Sequence, residues 1–267
     1  MQFTSLASGS SGNCCLVSSK QGDLLVDAGI HLREIKRRLS AIGKDLDNVQ
    51  SCLLSHEHSD HVKGAAKLLD AGIPMFANRG TAKAMGLTGA RLFSTDEAFE
   101  FLGMKIFPFS TSHDAIEPVG FTLREGTQSL SILTDVGYVS RNVVESVKLA
   151  QAVVLEANHD VFMLKRGPYP EELKQRILGK KGHLSNYEGA LLLLEHGSPA
   201  LRHIVLGHLS ETNNSPKVAL QTFKSILQER QDLQDVQIHV ASPDKALPLL
   251  DLGQKPYKIP SFLCANG

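Results

Sequence analysis

Cysteine is scarce in these 267 residues, and its four copies, Cys14, Cys15, Cys52 and Cys264, show no CxxC pairing. That excludes a disulfide scaffold and a cysteine-built structural zinc site, and it implies reduced, mostly buried thiols. An excess of charge of either sign is also missing: Lys plus Arg and Asp plus Glu number 28 each, so any attraction to a polyanion must come from local patches. No apolar run reaches the roughly 18 residues needed to span a bilayer. The segment from Met1 to Asn13 lacks the basic and apolar regions of a signal peptide. A cytoplasmic protein with no membrane partner is expected. No Pro-rich linker, charge block or repeat divides the sequence, so residues 1–267 read as a single domain.

Short apolar runs bounded by turn residues predict strands over 3–6, 14–18, 24–26 and 49–54. Further strands are predicted over 75–77, 92–93, 105–109, 121–124, 129–133, 152–156, 203–207 and 236–241. Helical spacing predicts helices over 30–42, 62–71, 143–149, 170–178, 186–196 and 217–228. Strands come in blocks with helices interspersed, which predicts an α/β protein with two sheets and helices outside, a four-layer αββα sandwich.

The strongest chemical signal is Ser55-His56-Glu57-His58-Ser59-Asp60-His61, which follows the apolar run ending at Leu54. In an irregular loop His56 and His58 can point to one side while Asp60 and His61 curl toward a second position. Imidazoles with a carboxylate suit zinc, manganese or iron better than calcium or magnesium. Three further residues end apolar runs: Asp27 after Leu24-Leu25-Val26, Asp135 after Ser131-Ile132-Leu133-Thr134, and His208 after His203-Ile204-Val205-Leu206-Gly207. His113 lies between the cluster and Asp135.

The HxHxDH segment resembles the signature of the metallo-β-lactamase superfamily, and Asp27, His113, Asp135 and His208 follow that family's order over nearly the whole chain. The resemblance implies the metallo-β-lactamase fold and two divalent metal ions, Zn2+ or Mn2+. One ion would be held by His56, His58 and His113, and the other by Asp60, His61 and His208. Asp135 would bridge them, with Asp27 orienting loop residues from behind. Iron redox relatives usually carry Glu where His58 stands.

Leu155-Glu156-Ala157-Asn158-His159-Asp160 and Gly182-His183-Leu184-Ser185 resemble the HEAT and HST segments of the tRNA 3′-processing branch. They depart from it in having Leu155 for the first His and Ser185 one position late. The resemblance implies Asp60, His183 and Glu156 as catalytic residues, with His183 the general acid and Glu156 its partner. Ser8-Gly9-Ser10-Ser11-Gly12-Asn13, the EANHD segment and Gly207-His208-Leu209-Ser210 resemble the YycJ/WalJ-type branch. This implies a two-metal phosphodiesterase acting on nucleic acid, with 5′-exonuclease action on DNA the family expectation and a metal-bridging hydroxide as nucleophile. The alternative is a small-molecule thioester or lactone hydrolase of the same fold.

Ser10, Ser11 and Asn13 are expected to cradle phosphate. Lys180 and Lys181, with Lys174, Arg176, Lys165 and Arg166 nearby, form a candidate phosphate patch beside His183. A second basic run, Arg33, Lys36, Arg37 and Arg38, is expected to face solvent. Asp135 and His208 lie 73 positions apart, which leaves no room for a large inserted cap domain.

Overall fold

A computed structural model describes residues 1–253; Cys264 lies outside them. The first sheet contains β1 (Gln2–Ala7), β2 (Cys14–Ser19), β3 (Gly22–Val26), β4 (Val49–Leu53), β5 (Met75–Ala77) and β6 (Arg91–Leu92). The second contains β7 (Phe99–Phe101), β8 (Met104–Ser110), β9 (Val119–Glu125), β10 (Gln128–Leu133), β11 (Ala152–Glu156), β12 (His203–Gly207) and β13 (Gln237–Val240). A short β14 (Leu250–Asp251) returns to pair with β1. The strand orders are β14-β1-β2-β3-β4-β5-β6 and β13-β12-β11-β10-β9-β8-β7.

Period-two alternation sorts the side chains into three apolar layers. Between the sheets lie Val17, Leu24, Val26, Leu53, Phe121, Ile132, Val154 and Val205. The outward neighbours Leu16, Leu25, Cys52 and Leu54 pack with Ile35 and Leu39 of α1 (Leu32–Ala41) and Leu68 of α3 (Ala65–Asp70). On the far side Val153, Leu155, Ile204 and Leu206 pack with α5 (Arg141–Lys148), α8 (Asn186–His196) and α9 (Pro216–Leu227). The αββα sandwich expected from the sequence is the fold observed. Among the described residues no helix is long and apolar enough to cross a membrane.

The structure departs from the sequence reading in several places. The helix expected over 62–71 is two pieces, α2 (Ser59–Val62) and α3, parted at Lys63-Gly64. Continuity would need the Gly64 N–H on the Asp60 carbonyl. Instead Gly64 N donates to Ala28 O at 2.7 Å, and Asp60 O accepts from Asn13 N at 2.7 Å. Two distant loops take the helix's own hydrogen bond. Arg38, expected in solvent, is buried on the Ile35–Leu39 face of α1, where it donates to Leu6 O and Pro243 O. Four elements have no counterpart among those expected from the sequence: α4 (Arg79–Ala84), α6 (Val161–Arg166), β7 and β14.

Strands β3 and β4 run parallel, as do β10, β11 and β12. Their carboxyl ends deliver Asp27, His56, Asp135, Glu156 and His208, consistent with the rule that open α/β sheets present ligand sites there. Asp27, Asp135 and His208 have φ of 62°, 57° and 54°, a left-handed conformation costing side-chain-bearing residues about 1–2 kcal/mol each. The strain turns each chain sharply out of its strand, so the side chain projects over the sheet edge.

Candidate metal centre

Asp27 organises the first side of the site. Its carboxylate accepts from Ser55 N at 2.8 Å, Ser55 Oγ at 2.9 Å and His61 Nδ1 at 2.8 Å. Those bonds make Nδ1 the protonated nitrogen of His61 and leave Nε2 facing Asp135 Oδ2 at 2.8 Å and Asp60 Oδ2 at 3.5 Å. Ser55 Oγ, having donated to Asp27, accepts from His56 Nδ1 at 3.0 Å. Buried His56 Nε2 then has no hydrogen-bond partner among the described residues. Asn13 locks the loop from below, its side-chain amide 3.3 Å from Asp60 Oδ2 and 3.2 Å from His61 Nε2. Gly29 must be glycine for this approach, since a Cβ there would lie 1.7 Å from Asp60 O.

The second side hangs on Glu156, which is fully buried. Its Oε2 accepts from Val136 N at 2.9 Å and Leu184 N at 3.1 Å. Its Oε1 accepts from two imidazoles, His183 Nδ1 at 2.8 Å and His208 Nδ1 at 2.7 Å. His208 Nε2 is thereby aimed at Asp60 Oδ2, 3.4 Å away. His113 Nδ1 donates to Gly182 O at 3.2 Å, and its Nε2 lies 3.3 Å from His58 Nδ1 and 3.5 Å from Asp135 Oδ1.

These atoms fit divalent cations. His56, His61, His113 and His208 each give one ring nitrogen to an oxygen acceptor and turn the other inward, the arrangement that fixes metal-ligating imidazoles. His56–His58–His113 and Asp60–His61–His208 each offer three ligand atoms within 4.8 Å of one another, and His56–His61–Asp135 links the two groups. The orphaned His56 Nε2, and two imidazole nitrogens facing each other at 3.3 Å, call for a cation between them.

The charges agree. Burial, with His61 beside it, pushes His56 well below the usual imidazole range, and burial also lowers His113, so both offer lone pairs. Burial alone would lower His208, but Asp135, Asp60 and Glu156 outweigh it and carry it up to about 10. Burial would raise Asp135 and Glu156; His208 and His61 hold Asp135 far below the carboxylate range, and His183 and His208 bring Glu156 down to about 2. A cation competes with the histidine protons for the same carboxylate field.

A sequence model of the beta-lactamase superfamily domain matches residues 23–208. Exodeoxyribonuclease YycJ of Bacillus anthracis is 36% identical over 238 residues, covering 86% of this chain and 90% of that protein. Exodeoxyribonuclease WalJ of Streptococcus pneumoniae is 35% identical over 264 residues, covering 94% and 98%. The chain belongs to the YycJ/WalJ family of the beta-lactamase superfamily. Among solved structures, the metallo-beta-lactamase fold protein YhfI of Bacillus subtilis superposes with a TM-score of 0.71 at 16% identity, covering 92% of this chain and 98% of that one. Human tRNase Z, short form, superposes with a TM-score of 0.61 at 14% identity, covering 92% and 98%. At these identities the structural matches speak for the fold alone.

In this YycJ/WalJ-family chain the seven side chains proposed as ligands converge, and His183 and Glu156 lie beside them. The residues expected to touch substrate divide. Ser10 and Lys181 line the cavity of about 270 Å³ over the centre. Ser11 is exposed outside that lining, and its carbonyl accepts from Lys63 Nζ at 2.7 Å. Asn13 is buried under the His/Asp loop instead of facing the cavity. Lys180 contributes its carbonyl to Ser112 Oγ at 2.6 Å and is not part of the lining. The basic patch is smaller than expected, because Lys174 Nζ turns to Lys165 O and Arg176 is paired with Asp114. Tyr169, Leu173, Ile177 and Asp114, to which the sequence assigned no role, also line the cavity. Their signal, a Pro-Tyr-Pro turn leading into a helix with apolar residues every four positions, is visible only once α7 (Glu171–Leu178) is known to lie over the site.

Proposed function

We propose that this chain is a two-metal nuclease that hydrolyses phosphodiester bonds of DNA, removing nucleotides from a 5′ end. One cation is held by His56, His58 and His113, the second by Asp60, His61 and His208, and Asp135 serves both. When bound, the cations supply charge stabilisation to the phosphate and make water nucleophilic at neutral pH.

The observation that carries the reading is the His183–Glu156 pair, with Nδ1 and Oε1 2.8 Å apart. Glu156 keeps Nδ1 as the donor and favours the imidazolium. It thereby raises the His183 pKa against the burial that would lower it. The other ring nitrogen can then hold a proton for an expelled alkoxide, which needs one far more than a thiolate does. His183 lines the same cavity as His58, Asp60 and Asp135. The exodeoxyribonuclease names of the two relatives support DNA as the polymer.

The test is digestion of 5′- and 3′-labelled DNA and RNA, single- and double-stranded, with Zn2+ or Mn2+, beside a thioester. Stepwise loss from the 5′ end of DNA is expected. Turnover of the thioester alone, unaffected by His183→Ala, would overturn the assignment in favour of a small-molecule hydrolase.

A further inference from the structure

The cavity over the metal centre is lined by two kinds of surface. Ser10, Ser210 and the histidines are polar, whereas Tyr169, Leu173 and Ile177 are apolar. Leu173 and Ile177, four positions apart, share one face of α7, and Tyr169 joins them in the lining from the turn that leads into the helix. None of the eight residues of α7 is fully buried, and Leu173, Ile177 and the preceding Tyr169 are each half-buried. The apolar surface that they leave uncovered lies in the cavity where the proposed reaction takes place.

Tyr169 is also held stiffly. It stands between Pro168 and Pro170, which fix their own backbone angles and restrict the residues before them. Gly167, at the start of this turn, packs on Asn213, where a Cβ would come within 2.4 Å of Oδ1. The turn is thus tied to the loop that follows His208, and ordering the ring against a ligand has a small entropic cost. Stacking on an aromatic face, continued by aliphatic side chains, is how proteins hold unpaired bases without reading sequence. A cavity of about 270 Å³ is at the small end of ligand pockets and favours one nucleotide over a stretch of duplex.

We propose that Tyr169, Leu173 and Ile177 form a stacking wall that receives one unpaired nucleobase at the chain end being cut. This rests on the nuclease reading above and extends it: the substrate is a single-stranded or frayed end, with the terminal base leaving its neighbours to lie on Tyr169.

The experiment uses metal-loaded protein and oligodeoxynucleotides carrying 2-aminopurine at the 5′ terminus. Bound to the slow His183→Ala form, the probe's fluorescence is quenched by stacking on Tyr169. Quenching is lost when Tyr169→Ala is added and kept with Tyr169→Phe. In steady state, Tyr169→Ala raises KM about 5- to 150-fold, the range of base–aromatic stacking, with kcat nearly unchanged. A terminal abasic nucleotide costs the wild type the same factor and Tyr169→Ala nothing further. Cleavage with the same KM in wild type and Tyr169→Ala would overturn the wall alone. Failure of every oligonucleotide to bind or be cut overturns the nuclease reading and the wall with it.

Discussion

In the first half of the chain four proposed ligands come from one continuous stretch, His56 and His58 before α2 and Asp60 and His61 within it. In the second half Asp135 and His208, with Glu156 and His183, each come from a different strand end or loop. The first side is set by a short chain of bonds: Asp27 accepts twice from Ser55 and once from His61, Ser55 accepts from His56, and Asn13 backs Asp60. The second is set by one buried carboxylate, Glu156, whose single oxygen accepts from both His183 and His208. Damage to the first side should therefore spread through metal binding alone. Damage to Glu156 should strike metal binding and proton transfer together.

Asp135 belongs to both groups and is the place to break the comparison outright. Asp135→Ala should abolish cleavage and release bound metal, measured as metal per chain after dialysis. Glu156→Gln comes next. The amide cannot accept from two imidazoles while keeping the Val136 and Leu184 N–H bonds, so the rate should fall about 10²–10⁴-fold and metal affinity about 10–100-fold. His183→Ala should separate those two effects, costing about 10²–10⁴-fold in rate with metal content unchanged. It should also remove the fall in rate at high pH, where the wild-type imidazolium loses its proton. Retention of that basic limb would show that another group titrates. Asp27→Asn, on the first side, should weaken metal binding about 10–100-fold, recovered in rate at saturating metal.

The smallest effect lies away from the site. Burial, and then His239, drive His203 down to about 4 from an ordinary value of 6.5. The unfolded chain therefore takes up the proton first as pH falls. Stability from this group is full above about pH 6.5 and is lost on the way down to about 4, by at most about 3 kcal/mol. His203→Leu should flatten thermal stability across that window; an unchanged slope would assign it to other groups.

The first side was far more legible in the sequence than the second. An apolar strand running into HEHSDH states its chemistry within six residues, and the apolar runs of β3, β4, β11 and β12, in blocks with helices interspersed, pointed to the layers. Asp27, Asp135 and His208 could be placed because each ends such a strand. What escaped was decided by partners far away in sequence. The break at Gly64 depends on Ala28 and Asn13 taking the helix's hydrogen bond. Arg176, which looked like a free phosphate contact, is neutralised by Asp114, 62 positions earlier. The second imidazole on Glu156 has no local trace, because β11 and β12 meet only through sheet pairing.

The most direct test of the central claim is anomalous diffraction from crystals grown with Zn2+ or Mn2+. The account predicts two ions per chain, one on His56, His58 and His113 and one on Asp60, His61 and His208, with Asp135 touching both. A chain binding no ion there, or ions that leave out His113 or His208, would contradict it.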